Sequence, residues 1–436
     1  MRMLATVAAA LLTLAAPSAH ATQIERVISP GGIEAWVVRE PSPLIAVEFA
    51  FEGGAGQDPP DKPGVAYLAA SVWDDGAGDL DAKAFHSKLE DKSIGLSFSA
   101  GRDHVRGSLR TLTRNRDEAF DYLRLALTQP RFDTDAVERA RSQIISRLQR
   151  QSTSPNDIAS RTWWQAAFPN HPYGWSVTGT PESMARITID DLKAYTRRVL
   201  ARGQLKVAVV GDIAPADVGA LLDRTFGSLP AEPELTAVPD VTMQGLGRRI
   251  VVPLDVPQAV VTFGTRGIPR SDPDFMAAYI VNHILGGGTF SSRLYQEVRE
   301  KRGLAYGVYD SLTWLEHAAV MIGGTATRSA VTGEAIGIIE SEIHRLAETG
   351  PVEQEVADAK SYLEGSYALG LDTSPKIAGQ LVQIQLDHLG IDYIDRRTSM
   401  IEAVTLADTK RVAKRLLDAG LLVTVVGQPQ GVTSSE

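Results

Sequence analysis

The chain has 436 residues, which is too long for one hydrophobic core and sufficient for two domains. Its hydrophobic content of 44% and charged content of 22% are ordinary for a globular protein, and its net charge of −9 argues against nucleic acid as a partner. The absence of cysteine excludes a disulfide framework, thiolate catalysis and cysteine-based zinc sites.

A signal peptide is predicted for residues 1–21. Arg2 provides the charged start, residues 4–16 form an apolar core, and residues 19–21 (Ala-His-Ala) provide a cleavage site of the small-x-small type. We therefore expect cleavage after Ala21 and export to a bacterial periplasm; an ordinary N-terminal helix is the alternative. No later run reaches about 18 apolar residues, so no membrane partner is expected.

Apolar patterns predict similar elements in both parts of the chain. Alternating apolar residues predict strands over residues 46–51 and 259–263. Apolar residues at helical spacing predict helices over residues 117–127, 137–148 and 336–346. Strands and helices occur in runs rather than in strict alternation, which favours an α+β fold over a doubly wound α/β fold. We therefore expect helices packed on mixed or antiparallel sheets.

The chain contains an internal repeat of a helix followed by a strand. Five residues recur at a constant offset of 217 positions. The matched pairs are Thr188/Thr405, Asp191/Asp408, Lys193/Lys410, Arg198/Arg415 and Gly203/Gly420. We predict two homologous α+β halves, residues 22–232 and 248–436, that form a clamshell. Prolines at positions 230, 233 and 239 predict an extended linker between them, assigned to residues 233–247.

The most informative segment lies in the second half. It begins with three consecutive glycines, which predict a tight turn or a flexible loop: Gly286, Gly287 and Gly288. A short amphipathic helix follows, with Arg299 near its end, and Tyr306 lies where the next strand begins. Adjacent elements can thus bring one cation and one phenol to a single point. The alternative is a solvated helix charge and a core tyrosine.

This segment, the two-half repeat and the flanking residues 53–66 together resemble the pitrilysin/insulinase (inverzincin) family of zinc peptidases. Active members carry H-x-x-E-H, in which the histidines bind zinc and the glutamate activates water, and a later helix adds a third ligand. The resemblance assigns these positions to Tyr67, Ala70, Ser71 and Arg147. Alanine has no donor atom, neutral hydroxyls are poor zinc ligands and arginine repels a cation. We therefore predict no metal site in this chain.

The resemblance implies the zinc-less subunit of a bacterial two-subunit peptidase. Its partner would be a homologous chain with an intact H-x-x-E-H motif and the zinc, and the substrates would be peptides or unfolded segments. Tyr306 would stabilise the oxyanion that forms from the attacked carbonyl, and Arg299 would orient Tyr306 or hold a substrate carbonyl. The three glycines would lie beside the substrate entrance. The isolated chain is predicted to be inactive and to have no cofactor of its own.

Two other functions stay open at this point. A substrate-binding or scaffold subunit would carry the same sequence features without any chemical role for Arg299 and Tyr306. A self-sufficient hydrolase would need a relocated metal site. No two of the eight histidines lie within four residues of each other, so no helix presents a histidine pair one turn apart.

Overall fold

A computed structural model of the protein describes residues 23–435. The predicted signal peptide, residues 1–21, and its cleavage site lie outside these residues. Within the described range, no helix combines the length and the apolar character that crossing a membrane would require.

The strands form two large sheets and one two-stranded sheet. They are β1 (Ile24–Ile28), β2 (Glu34–Arg39), β3 (Leu44–Glu52), β4 (Gly76–Ala77), β5 (Leu80–Asp81), β6 (Gly95–Ala100), β7 (His104–Leu112), β8 (Lys206–Gly211), β9 (Arg249–Pro253), β10 (Gln258–Arg266), β11 (Ala305–Trp314), β12 (Ala319–Arg328) and β13 (Leu422–Gly427).

Helices pack on these sheets and connect their strands. They are α1 (Val65–Ala70), α2 (Ala82–Asp91), α3 (Arg116–Thr128), α4 (Thr134–Gln151), α5 (Pro155–Ala167), α6 (Pro181–Arg186), α7 (Ile189–Val199), α8 (Pro215–Phe226), α9 (Phe275–Asn282), α10 (Thr332–Thr349), α11 (Glu353–Tyr367), α12 (Ser374–Leu386), α13 (Tyr393–Glu402) and α14 (Leu406–Leu417). Two π-helical segments, His283–Gly287 and Tyr295–Glu300, follow α9.

The two large sheets have the same strand order. The first is β1-β2-β8-β3-β7-β6, and the second is β11-β12-β10-β13-β9. In chain order, β9, β10, β11, β12 and β13 correspond to β2, β3, β6, β7 and β8. With this correspondence, the second sheet read from β9 to β11 has the order of the first sheet read from β2 to β6, and β1 has no counterpart. The β2–β8 and β9–β13 pairs are parallel, whereas the central strands β3 and β10 are antiparallel to both of their neighbours. The prediction of an α+β fold with two homologous halves is confirmed.

The sequence repeat has the same local structure in both halves. Thr188 begins α7 and Thr405 begins α14, and each forms a capping box with the aspartate three residues later. Each helix then leads into a buried strand, β8 in the first half and β13 in the second. Equivalent capping residues therefore start equivalent helices, which explains why the repeat is visible in the sequence.

Each half places one helix on the sheet of the other half. Helix α5 of the first half packs on β10 and β13, and helix α12 of the second half packs on β3 and β8. Trp163 of α5 donates a 3.0 Å hydrogen bond to the Leu422 carbonyl, and Gln385 of α12 donates a 3.0 Å hydrogen bond to the Val207 carbonyl. Both side chains are buried. The two halves are therefore joined by an exchange of helices as well as by the connecting chain.

The connection between the halves is extended and makes contacts with both of them. In the described chain, residues 227–248 contain neither helix nor strand. The Gln57 side chain exchanges two hydrogen bonds, of 2.7 and 2.8 Å, with the backbone of Thr236. The Val241 N–H donates to the His317 carbonyl of the second half at 2.9 Å. These bonds fix the course of the segment; its assigned limits, 233–247, stay a prediction.

Candidate functional site

The structure brings Arg299 and Tyr306 together in the second half. Arg299 lies in the π-helical segment Tyr295–Glu300, and Tyr306 is the second residue of β11. The Arg299 Cζ atom is 4.7 Å from the ring centroid of Tyr306 and 4.8 Å from that of Tyr295. Both distances are typical of cation–π contacts. The guanidinium group is therefore held between two tyrosine rings.

Tyr306 is a surface residue and not a core tyrosine. Its relative exposure is 86%, and its hydroxyl makes no hydrogen bond with the rest of the described chain. Arg299 is partly exposed, and its Nη1 atom donates to the Tyr295 hydroxyl. A phenol hydroxyl and a guanidinium group are both hydrogen-bond donors, and arginine keeps its charge at all relevant pH values. The pair can therefore bind an oxygen atom that is presented from outside the chain.

Sequence reasoning missed Tyr295, the third member of this group. Tyr295 precedes Arg299 by four residues, a spacing that places side chains next to each other on a helix. Its ring is buried, and the exposed Phe290 packs edge-on against it at 5.1 Å. The spacing was a signal in the sequence, but spacing alone does not distinguish a site residue from a core residue.

Backbone hydrogen bonds fix the turn that connects the helix to β11. Gly303 has a φ of +61°, a left-handed conformation that glycine adopts without strain, and its N–H donates to the Arg299 carbonyl at 2.8 Å. The Leu304 N–H donates to the Val298 carbonyl at 2.9 Å. The Leu304 carbonyl in turn accepts from the Thr327 side chain of β12. The turn between the helix and β11 is therefore held on both sides.

Two of the three glycines are helical and the third lies in the turn that follows, which corrects the prediction of a loop for Gly286 and Gly287. Gly286 and Gly287 belong to the π-helical segment His283–Gly287, and the Gly288 N–H donates to the His283 carbonyl, five residues earlier, at 2.8 Å. A Cβ atom at each of the three positions would come within 3.0 Å of a neighbouring atom. Glycine is needed here for close approach rather than for flexibility. The predicted place beside a substrate entrance stays a prediction.

The predicted zinc-motif positions also come together, in the first half. Arg147 of α4 donates a 2.5 Å hydrogen bond from Nη1 to the hydroxyl of Tyr67 in α1. Ser71 follows the last residue of α1 and donates to the Leu68 carbonyl at 2.8 Å. Ala70 is buried. A guanidinium–phenol pair thus lies where the resemblance to zinc peptidases places metal ligands.

These residues do not fit a zinc ion. The guanidinium of Arg147 is permanently charged and lies on the Tyr67 oxygen, where it would repel a second cation. The Ser71 hydroxyl is neutral and Ala70 has no donor atom. Over residues 23–435, no group of three or more His, Asp or Glu side chains is arranged to hold a metal ion. No metal-dependent step is therefore assigned to these residues.

A buried carboxyl group and a half-buried one, those of Asp58 and Asp74, lie at the two ends of α1, and sequence reasoning missed both. Asp58 accepts hydrogen bonds from the N–H groups of Gly64 (2.6 Å) and Ala66 (2.8 Å), which fixes the start of the helix. Burial raises the pKa of Asp58 to about 7, although these hydrogen bonds oppose the shift. Burial likewise raises the pKa of Asp74, just after the helix, to about 6. The protonation of this region therefore changes near neutral pH.

Both halves of the chain match one group of known proteins. The family described as "Insulinase (Peptidase family M16)" matches residues 37–181. The family described as "Peptidase M16 inactive domain" matches residues 186–363. The two matches together cover most of the chain, and they divide it within the first half, ahead of α7.

Individual proteins show the same similarity. "Non-peptidase homolog YmxG" of Helicobacter pylori is 29% identical over 334 residues, which cover 76% of this chain and 76% of that protein. "Uncharacterized zinc protease ML0855" of Mycobacterium leprae is 27% identical over 335 residues, 76% of this chain and 75% of that protein. The crystal structure of a peptidase M16 inactive domain from Pseudomonas fluorescens has a TM-score of 0.87 at 25% identity, covering 95% of this chain and 100% of that chain.

Proposed function

Because both halves of the chain belong to the insulinase family of peptidases (family M16), we propose that it is the non-zinc subunit of a heterodimeric zinc endopeptidase in a bacterial periplasm. The four ligand positions of its own motif hold residues that do not fit zinc. In this proposal, a homologous partner with an intact H-x-x-E-H motif carries the zinc. This chain contributes Arg299 and Tyr306 to the partner's site.

The observation that carries the proposal is the exposed Arg299–Tyr306 pair in a chain without a zinc site of its own. Attack on a peptide carbonyl places negative charge on its oxygen, and a preorganised donor that faces this oxygen lowers the barrier by roughly 3–4 kcal/mol. The Tyr306 hydroxyl is proposed as that donor. The charge of Arg299 holds the Tyr306 ring in place or binds a substrate carbonyl directly.

The proposed substrates are peptides or unfolded segments, because a chamber enclosed by two chains would exclude folded proteins by size. The names of similar proteins support a zinc-less role. The Helicobacter protein is called a non-peptidase homolog, and the Pseudomonas structure is called an inactive domain. The periplasmic location is proposed from the signal-peptide pattern in residues 1–21.

A scaffold subunit is the second candidate, and one contact favours it. The Arg299 guanidinium already donates to the Tyr295 hydroxyl within the chain. An arginine that is engaged in this way could stabilise the fold without touching a substrate. The two candidates differ in what the Tyr306 hydroxyl does in the assembled complex.

The test is a peptidase assay with zinc analysis, on the purified chain alone and after mixing with an H-x-x-E-H relative from the same organism. We expect the chain to be inactive and free of zinc alone and to raise the rate of the relative. Tyr306→Phe removes the hydroxyl and keeps the ring beside Arg299. It should lower the kcat of the complex by about 100-fold or more, as the loss of one oxyanion donor does in other enzymes.

Tyr309→Phe is the matched control, because Tyr309 lies on the same strand and is 63% exposed. This variant should keep the wild-type rate. A complex with Tyr306→Phe that is as active as the wild type would instead support the scaffold role. Stoichiometric zinc and peptide cleavage by the chain alone would contradict both candidates.

A further inference from the structure

A buried polar cluster adjoins the segment that carries Arg299. Its centre is Asp310 of β11, whose Oδ1 atom accepts a 2.6 Å hydrogen bond from the side chain of Asn282 at the end of α9. The backbone of Gly286 also lies close to the Asp310 carboxyl group, since a Cβ atom at this position would be 2.8 Å from Oδ1. The second oxygen, Oδ2, is buried without a hydrogen-bond partner among residues 23–435. One carboxyl group thus connects the end of α9 with β11.

The cluster explains why three glycines follow one another. Each has a neighbouring atom within about 3.0 Å of the place where its Cβ atom would lie, from the cluster for Gly286 and Gly287 and from the adjacent His283 for Gly288. The contacts are Gly286 with Asp310 (2.8 Å), Gly287 with the Asn282 side-chain oxygen (3.0 Å) and Gly288 with the His283 ring (2.9 Å). At Gly286 and Gly288 a Cβ atom would meet backbone atoms within 2.8 Å, so any other residue there would force the backbone to shift. The glycines therefore allow the end of α9 to lie directly against the Asp310 carboxyl group.

This cluster lies at the base of a chain segment, residues 287–309, that carries Arg299 and Tyr306 and is called the excursion below. The chain leaves the cluster at Gly286, forms the helix that contains Arg299, turns at Gly303 and returns along β11 through Tyr306 to Asp310. Asp310 therefore lies on the strand that ends the excursion and contacts the residues, Asn282 and Gly286, from which the excursion starts. A shift of one end of the excursion against the other would change the distance between Arg299 and Tyr306.

The protonation of Asp310 is compatible with such a structural connection. Complete burial raises the pKa of Asp310 well above its usual range, and the hydrogen bond from Asn282 and the nearby backbone N–H of Gly286 only partly oppose this shift. A neutral carboxyl group costs much less to bury than a carboxylate. Asparagine has the shape of the neutral acid and keeps an acceptor oxygen, whereas leucine has a similar size and no acceptor.

We propose that Asp310 is a positioning residue, which ties the π-helical end of α9 to β11 and so holds Arg299 and Tyr306 at the spacing that their site requires. This inference rests on the function proposed above. Asp310 is buried and would not touch a substrate, so its effect would be exerted entirely through the two residues on the excursion.

The first experiment is hydrogen–deuterium exchange on the purified full chain, which needs no partner. Asp310→Leu should increase amide exchange over residues 288–304 by about tenfold or more, whereas Asp310→Asn should match the wild type. Ser311→Ala, at the next and exposed position of β11, is the control and should also match the wild type. A folded Asp310→Leu variant with wild-type exchange in this segment would overturn the proposal.

The second experiment measures the kinetics of the complex with the H-x-x-E-H relative. Asp310→Leu should lower kcat about 10- to 100-fold with KM changed less than about threefold, and Asp310→Asn should restore most of the rate. If Asp310→Leu does not fold, Asn282→Ala, which removes the donor to Asp310, takes its place in both experiments. A wild-type kcat in the folded variant would contradict the proposal.

The two experiments separate this proposal from the function on which it rests. If Tyr306→Phe leaves the complex fully active, the proposed function fails, and the exchange of residues 288–304 still decides whether Asp310 holds the excursion. If Tyr306→Phe is inactive and the Asp310→Leu complex is normal, only the positioning role fails.

Discussion

Helices α1 and α9 occupy equivalent places in the two halves, but the residues at their C-terminal ends differ. Helix α1 packs on α7, and α9 packs on α14, the counterpart of α7 in the sequence repeat. An offset of 212 positions aligns the helices, with Tyr67 facing Tyr279 in the alignment and Gly76 facing Gly288. Over residues 65–76, most of the differences in this alignment exchange one apolar residue for another. The four that involve a polar residue or a glycine are Ala70/Asn282, Ser71/His283, Asp74/Gly286 and Asp75/Gly287.

The comparison shows that the same arrangement of sheet and helices accommodates two different sets of residues at the end of the equivalent helix. In the second half, Asn282 bonds to Asp310, and this crowding requires glycine at position 286. In the first half, Ala70 makes no such bond, and the carboxyl group of Asp74 fits at the position equivalent to Gly286. A few side chains at the end of one helix thus change the local chemistry, while both sheets keep the same strand order.

The largest effect is expected where the halves exchange helices. Trp163→Ala removes a fully buried indole ring and its hydrogen bond to Leu422, and it should cost about 3–5 kcal/mol of unfolding free energy. Gln385→Ala, on the exchanged helix α12, removes the bond to Val207 and less apolar surface, so about 1–3 kcal/mol is expected. Denaturant titration measures both. Equal costs would mean that the indole adds nothing beyond its hydrogen bond.

The next effect concerns the glycine that α9 requires. Gly286→Ala places a methyl group 2.8 Å from Asp310 and should destabilise the protein by about 1–3 kcal/mol. The control is Gly337→Ala in α10, where a Cβ atom would meet nothing within 4 Å. This change should be neutral or stabilise by up to about 1 kcal/mol. Similar melting temperatures for the two variants would show that position 286 is not crowded in solution.

A pH-dependent effect is expected at Asp74, the first-half counterpart of Gly286. Burial raises the pKa of Asp74 to about 6, so the folded state binds the proton more tightly than the unfolded state, whose pKa is about 3.9. The stabilising contribution is complete below about pH 4 and is lost as the pH rises through about 6. Asp74→Asn should therefore stabilise the protein at pH 8, by about 1–3 kcal/mol, and should have little effect at pH 4.

Denaturant unfolding at pH 4 and pH 8 checks this expectation. Asp79→Asn is the matched control, because Asp79 is an exposed aspartate on the same side of α1 in the sequence. It should leave the difference between the two pH values unchanged. If Asp74→Asn also leaves that difference unchanged, the carboxyl group of Asp74 is ionised in the folded protein.

The smallest effect is expected at the guanidinium–phenol pair of Arg147 and Tyr67. Arg147 is exposed, so Arg147→Ala and Tyr67→Phe should each change stability by about 0.5 kcal/mol or less, with a coupling below about 1 kcal/mol in a double-mutant cycle. Arg150→Ala, at an exposed position of the same helix, is the control. A coupling above about 2 kcal/mol would show that the pair is a structural element of the first half.

Much of the fold was predictable because its signals are local in the sequence. The capping residues Thr188 and Thr405 and the apolar strands that follow their helices revealed the two halves. The approach of Arg299 to Tyr306 was also predictable, because only one short turn separates the helix from the strand. The way in which the two side chains touch was not predictable: the Arg299 guanidinium packs against the rings of Tyr306 and Tyr295.

The sequence by itself determined the two-half α+β fold, since repeats and periodicity are properties of the chain. Only the tertiary structure decided the exchange of helices, the crowding at the glycines and the burial of Asp310. These features depend on residues that are far apart along the chain: Trp163 and Leu422 are separated by 259 positions, and Asn282 and Asp310 by 28. A glycine has the same sequence signature in a flexible loop and against a buried carboxyl group, and only the position of Asp310 distinguishes the two.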